Sequence, residues 1–199
     1  RKGNTFKIQH AEFLDKDGNF YTENLRSAKC EIEVTSNGVE QVYKPHFSFQ
    51  GFRFIKLMGF NDDEIKLENF TAIVVFSDMK RTGDFICGNE KINQLYHNVI
   101  WGQKSNFIDV PTDCPQRDER LGWTGDAQVF ARTAAINFDV EKFFEKWLAD
   151  LAAGQYDDGG VFWIVPTNNC YYPENVSSAW SDAATICPWE IYLAYGNKK

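Results

Sequence analysis

The order of apolar and polar positions changes character near residue 86. Before it, apolar runs are short and alternate with a period of two. Cys30, Ile32 and Val34 fall on one side and Glu31, Glu33 and Thr35 on the other, as in a half-buried strand. Phe6 to Leu14 is another apolar run. Lys16-Asp17-Gly18-Asn19 then supplies a turn, and Phe20-Tyr21 resumes extended chain. Asn37-Gly38 predicts a hairpin returning through Val39 to Tyr43. Phe52 to Leu57 and Ala72 to Phe76 predict further strands, the last apolar enough for a central position. An antiparallel sheet or sandwich is the expectation.

Beyond residue 86 the spacing is helical. Asn89 stands where it caps a helix with Ile92, Leu95, Tyr96, Val99 and Ile100 on one face. A second helix is expected from about Thr124 to Ile136. Asp139 is expected to cap a third, with Val140, Phe143, Phe144, Trp147, Leu148 and Leu151 on one core-forming stripe. A fourth covers about Ala179 to Tyr195, where Pro188 is expected to kink or split it. Short links between helices favour antiparallel hairpins. The pattern predicts an α+β chain in two parts: residues 1–86, part of a β-sandwich-type domain, and residues 87–199, a run of helical hairpins.

Composition narrows the function. Of 199 residues, 21 are Lys or Arg and 28 Asp or Glu, a net charge of -7, which argues against nucleic acid as a partner. A hydrophobic fraction of 43% with 16% aromatics excludes disorder. No apolar run approaches the roughly 18 residues of a membrane span. Cys30, Cys87, Cys114, Cys170 and Cys187 make a poor disulfide framework and contain no C-x-x-C pair. They read as small buried thiols. Neither a metal nor a cofactor is expected, and the compartment stays open between cytoplasm and periplasm. The chain starts Arg1-Lys2-Gly3, without an initiator Met or signal peptide, and stops just after a helical pattern, so it is expected to be incomplete at both ends.

The chemistry concentrates between the first two helices. Ile108 to Asp126 holds two prolines, two glycines and seven charged residues, far more than a helix connection needs. Carboxylates at 113, 118, 119 and 126 supply proton donors and acceptors, Arg117 and Arg120 bind carboxylates or hydroxyls, and Trp123 offers a flat apolar face. Together with Trp163 and Trp180 these suit a carbohydrate cleft. They suit equally an Asp/Arg network pinning a loop with Trp123 as its plug. Cys114 has no histidine near it in sequence, which disfavours a cysteine nucleophile. Gly159-Gly160 matches no phosphate-binding pattern.

Asp113 to Ala127, DCPQRDERLGWTGDA, closely resembles the signature of the bacterial α-L-rhamnosidases of glycoside hydrolase family 78. The likeness extends along nearly the whole chain. HAEFLDKDGNFYTENLRSA and PHFSFQGFRFI resemble the family's β-domain before the catalytic domain, and GNEKINQLYHNVIWGQKSNF resembles the first helix of its barrel. VFWIVP and WSDAATICPWEIYLAYG resemble the segments that follow. The resemblance implies β-sandwich domains before an (α/α)6 barrel, and release of terminal α-L-rhamnose with inversion. By position, Glu119 matches the general acid; Asp113, Arg117, Trp123 and Asp126 match residues lining the rhamnose subsite; Trp180 matches a further sugar-contacting Trp.

Inversion needs one protonated carboxyl at the glycosidic oxygen and a second carboxylate, about 6.5–9.5 Å away, activating water. A Glu acid works near neutral pH when burial or neighbouring negative charge raises its pKa, with Asp113 and Asp126 to supply the charge and Trp123 the low dielectric. Arg117 close to Glu119 would act the other way, so it is expected to be engaged by a carboxylate or the sugar. The family's base is a Glu of a later hairpin, which no residue here matches. Residues 1–199 are therefore expected to hold the acid without the base and to be inactive alone. The expected partner is a rhamnosylated small molecule or polysaccharide, with self-association through exposed helix faces open. The rival expectations are a non-catalytic rhamnose-binding module and an exo-glycosidase of other specificity on the same barrel.

Overall fold

The computed structural model describes residues 2–167 and 176–198, so Cys170 lies outside the described residues. Its contacts divide the chain into two units. The first is Arg1–Val74 with Pro115–Glu119, the second Val75–Cys114 with Arg120–Lys199.

The first unit is built on a sheet of β1 (Thr5–Ala11), which pairs antiparallel on both sides with β4 (Glu31–Thr35) and β5 (Phe54–Met58). Ile8 is level with Ile32 on one side and Leu57 on the other, so the alternating apolar residues meet across the ladder. β2 (Phe13–Leu14) and β3 (Phe20–Tyr21) form a small hairpin. Its turn is tied by Asp15, whose carboxylate accepts from the amides of Asp17 and Asn19. These bonds, led by those from Asn19, hold the Asp15 carboxyl below its ordinary range.

Two expected strands do not form. Among the described residues, neither Val39–Tyr43 nor Ala72–Phe76 pairs in a sheet. After Asn37 the chain leaves through an Asx turn, with Val39 N–H donating to Asn37 Oδ1 and Gly38 at φ 92°. Ile73, Val74 and Val75 are exposed. Among the described residues the outer edges of β4 and β5 stay open in this sheet, so β-branched propensity alone does not make either segment a strand.

The second unit is helical: α1 (Glu90–Asn106), α2 (Thr124–Asn137), α3 (Glu141–Ala153) and α4 (Ala183–Tyr195). Asn89 caps α1 by accepting from Lys91 N–H at 3.0 Å. Asp139 Oδ1 accepts from Glu141 N–H at the start of α3. Ile92 and Leu95 are exposed, so the inward face of α1 is Tyr96, Ile100 and Gln103. The α3 stripe is buried as the pattern requires: Val140, Phe143, Phe144, Trp147 and Leu151. α4 begins later than its pattern suggested and is neither split nor ended by Pro188, which sits inside it. Ala183, Cys187 and Ile191 anchor its buried side, and tertiary packing overrides the local penalty of the missing N–H. Burial, with Glu190 adding to it, pushes the Cys187 thiol up to about 12, which makes it a core residue rather than a reactive one.

Between α1 and α2, β6 (Phe107–Ile108) and β7 (Val110–Pro111) form a minimal hairpin, with Asp109 at φ 67°. Phe107 stacks on Phe143 at 4.5 Å and so ties the start of the charged loop to the α3 core. Within the core, Asn137 Nδ2 donates to Gln103 Oε1 and Gln103 Nε2 to the Ala134 carbonyl, which satisfies a buried amide pair.

Trp147 is fully buried and donates from Nε1 to the Val165 carbonyl at 3.0 Å. Trp147→Phe keeps most of the ring but orphans that carbonyl. It is expected to destabilise the helical unit by about 1–3 kcal/mol; urea denaturation followed by far-UV circular dichroism measures it, and an unchanged midpoint contradicts the role given to this bond.

Candidate active site

The motif Asp113–Ala127 is closed at its neck. Asp113 N–H donates to the Leu121 carbonyl at 3.2 Å, and Leu121 N–H returns to Asp113 Oδ1 at 3.1 Å. The residues between are forced out as a loop, and Arg120 takes a left-handed φ of 52° as the chain comes back. Of the six positions matched to the family, Arg117 and Glu119 belong to the first unit by their contacts. Asp113, Trp123, Asp126 and Trp180 belong to the second.

In the second unit, residues 122–124 pair antiparallel with 163–165. Val165 N–H donates to the Gly122 carbonyl at 2.8 Å, Thr124 N–H to the Trp163 carbonyl at 2.8 Å, and Trp123 lies opposite Ile164. The Thr124 hydroxyl donates to the same Trp163 carbonyl. A Cβ on Gly122 would run into the Val165 carbonyl, so this approach requires glycine. The pairing sets Trp123 beside Trp163, ring centroids 5.8 Å apart.

Asp126 is exposed in the first turn of α2. One residue before it, Gly125 carries Trp180: a Cβ there would stand 2.6 Å from Trp180 Nε1. The segment holding Trp180 is tied to its surroundings by Gln128 Nε2 donating to the Ala179 carbonyl and the Ser181 hydroxyl donating to the Val161 carbonyl. Trp123, Trp180 and the Asp126 carboxylate thus flank one helix start. Flat faces beside acceptors are what a sugar's C–H and O–H sides require.

In the first unit, segment 115–119 is held at four places. Pro115 and Gln116 pack against Gly51, where a Cβ would stand 3.1 Å from each side chain. The Cys30 thiol donates to the Gln116 carbonyl at 2.9 Å. Ser27 donates to Asp118 Oδ2 from its hydroxyl at 2.6 Å and its amide at 3.2 Å. Arg26 Nη1 lies 3.4 Å from Asp118 Oδ1 and 3.4 Å from Glu119 Oε2. Arg117, expected to be drawn away from Glu119 by another carboxylate or the sugar, instead meets Glu119 itself, Nε donating to Oε2 at 2.6 Å. Nothing in the sequence pattern pointed to Arg26, Ser27, Cys30 or Gly51, because their relation to the motif spans 64 to 93 positions of chain.

The bonds from Ser27, then the charge of Arg26, hold the Asp118 carboxyl below its ordinary range. A carboxyl depressed in the folded state stabilises above its unfolded pKa, and that contribution fades as pH falls through the lower folded value. Asp118→Asn is therefore expected to lower the urea midpoint near neutral pH. The gap to the parent protein should close only in acid, below the usual carboxylate range. A gap of constant size down to that pH contradicts the anchor.

Comparison with known proteins agrees with this layout. Residues 80–199 match the bacterial alpha-L-rhamnosidase 6 hairpin glycosidase domain, and residues 1–76 match the bacterial alpha-L-rhamnosidase concanavalin-like domain. An alpha-L-rhamnosidase of Formosa agariphila is 44% identical over 99% of this chain and 21% of its own. The crystal structure of the Streptomyces avermitilis alpha-L-rhamnosidase complexed with L-rhamnose superimposes with a TM-score of 0.92 at 41% identity, over 99% of this chain and 19% of that one. The native enzyme of Aspergillus terreus gives a TM-score of 0.90 at 40% identity, over 100% of this chain and 23% of that one. The chain thus spans about a fifth of the length of these relatives. On these matches, and on the motif they include, the chain belongs to the bacterial α-L-rhamnosidases of glycoside hydrolase family 78.

Proposed function

We propose that these residues supply the sugar subsite and the general acid of an inverting α-L-rhamnosidase, with the second carboxylate supplied from outside residues 1–199. The observation that carries this assignment is the place of Glu119 inside the family motif, with Arg117 fixing the orientation of its carboxyl through Oε2. The L-rhamnose complexed with the Streptomyces avermitilis relative supports rhamnose as the sugar.

In the proposed reaction the bond between the anomeric carbon and the glycosidic oxygen breaks, and its electron pair stays on that oxygen. The oxygen takes the Glu119 proton. Water adds to the anomeric carbon from the opposite ring face and gives its proton to the outside carboxylate. Asp113 and Asp126 accept hydrogen bonds from rhamnose hydroxyls, bonds that strengthen as positive charge grows in the transition state. Trp123 and Trp180 pack against the C–H faces of the ring. Arg117 orients Glu119. Asp113 serves the fold as well as the sugar, because one of its oxygens closes the loop on Leu121. Asp113→Asn, which keeps an acceptor, is a cleaner probe of sugar binding than Asp113→Ala.

Two assays test the proposal. Residues 1–199 alone are expected to give no turnover of 4-nitrophenyl α-L-rhamnoside. In the full-length enzyme, Glu119→Gln should lower kcat on an unactivated rhamnoside by about 10²–10⁴-fold while leaving rhamnose affinity near the parent value. Turnover by residues 1–199 that disappears with Glu119→Gln would place both carboxylates inside this chain. Rhamnose binding without hydrolysis by the full-length protein would favour a binding module.

A further inference from the structure

We infer that Arg26, from the β-rich unit, is a positioning residue for Glu119: together with Arg117 it claims Oε2 and leaves Oε1 to carry the transferable proton. This rests on the assignment of Glu119 as the acid and adds a residue to it that lies outside the motif.

Hydrogen-bond chemistry sets the oxygen. A guanidinium has donors only. A protonated carboxyl has one hydroxyl, which donates, and one carbonyl oxygen, which accepts. Arg117 Nε donates to Oε2 of Glu119 at 2.6 Å, and Arg26 Nη1, which donates to Asp118 Oδ1, stands 3.4 Å from the same Oε2 as an ion pair that keeps the carboxyl turned toward the arginines. A hydroxyl at Oε2 would point its proton at N–H groups, so Oε2 is the carbonyl oxygen and the proton sits on Oε1. Without the arginines the two oxygens are equivalent, and rotation about the last side-chain bond exchanges them.

The backbone at residue 26 fits a residue kept for its side chain. The single turn Glu23–Leu25 ends at Arg26, whose φ of 56° and ψ of -119° suit glycine, yet an arginine stands there. Its neighbour Ser27 bonds Asp118 twice, so the residue before Glu119 is fixed to the residue after Arg26. The two contacts to Asp118 and Glu119 thus come from one short turn acting on consecutive residues.

Magnitude decides what Arg26 contributes. Its side chain is 54% exposed, so solvent screens its charge, and the attraction to Glu119 adds little to stability. Its effect is geometric, on which oxygen and which rotamer face the substrate, and misplacement of that order alters rates far more than stabilities.

Arg26→Gly removes the side chain and relieves the backbone, so it preserves the fold; Arg26→Lys keeps a donor. Each is made in the full-length enzyme beside Glu119→Gln. The variants are assayed on phenyl α-L-rhamnoside, which needs proton donation, and on its 2,4-dinitrophenyl counterpart, which needs little. Arg26→Gly is expected to lower kcat about 10–100-fold on the first and less than about twofold on the second, with Arg26→Lys restoring part of the loss. An equal effect on both substrates, or none on either, overturns the inference if Glu119→Gln itself shows the split. If Glu119→Gln shows no split, the acid assignment fails, and the role of Arg26 with it.

Discussion

The closure of Asp113 on Leu121 is the constraint on which the rest of the site depends. Two hydrogen bonds, amide to carbonyl one way and amide to carboxylate the other, fix the ends of a loop whose middle belongs to the first unit and whose neck belongs to the second. Because the neck is fixed, the chain that leaves it must enter the pairing of residues 122–124 with 163–165 in a single register. Because the middle is held by Ser27, Cys30 and Gly51, the carboxylate of Glu119 has a defined neighbourhood rather than the freedom of a surface loop. The Glu119 carboxylate is thus held by short-range anchoring of its own segment, a device that orients a side chain without burying it.

The helical core sets the other half. Phe107 on Phe143 and Trp147 on the Val165 carbonyl join the two strands flanking the motif to one buried stripe of α3. Two successive hydrogen bonds, Trp147 to the Val165 carbonyl and Val165 N–H to the Gly122 carbonyl, thus link α3 to the residue before Trp123.

How much of this was legible in the sequence differed by range. The α3 stripe and the Asn89 cap were readable, since each depends on neighbours within a turn or two of helix. The Cys30–Thr35 alternation likewise read as a strand, observed at Glu31–Thr35. Ala72–Phe76 was misread because apolar β-branched residues promise a strand without saying whether they pair with a neighbouring one. Pro188 does not split α4, its local penalty being outweighed by the buried side of the helix. In the site, the density of Asp, Glu, Arg and Trp marked the loop. Arg26 and Ser27 carried no mark, because a left-handed backbone and a contact 91 or 92 residues away leave no periodic trace.

Family membership and the geometry of Glu119 support one proposal, that Glu119 serves as the general acid of a rhamnosidase. A crystal structure of the full-length enzyme with L-rhamnose bound tests it most directly. The account predicts the sugar against Trp123, with its hydroxyls on Asp113 and Asp126. Its anomeric oxygen should lie within hydrogen-bond distance of Glu119 Oε1, with Arg117 and Arg26 still on Oε2. Sugar bound away from these residues, or an anomeric oxygen on Oε2 with the arginines displaced, would contradict it.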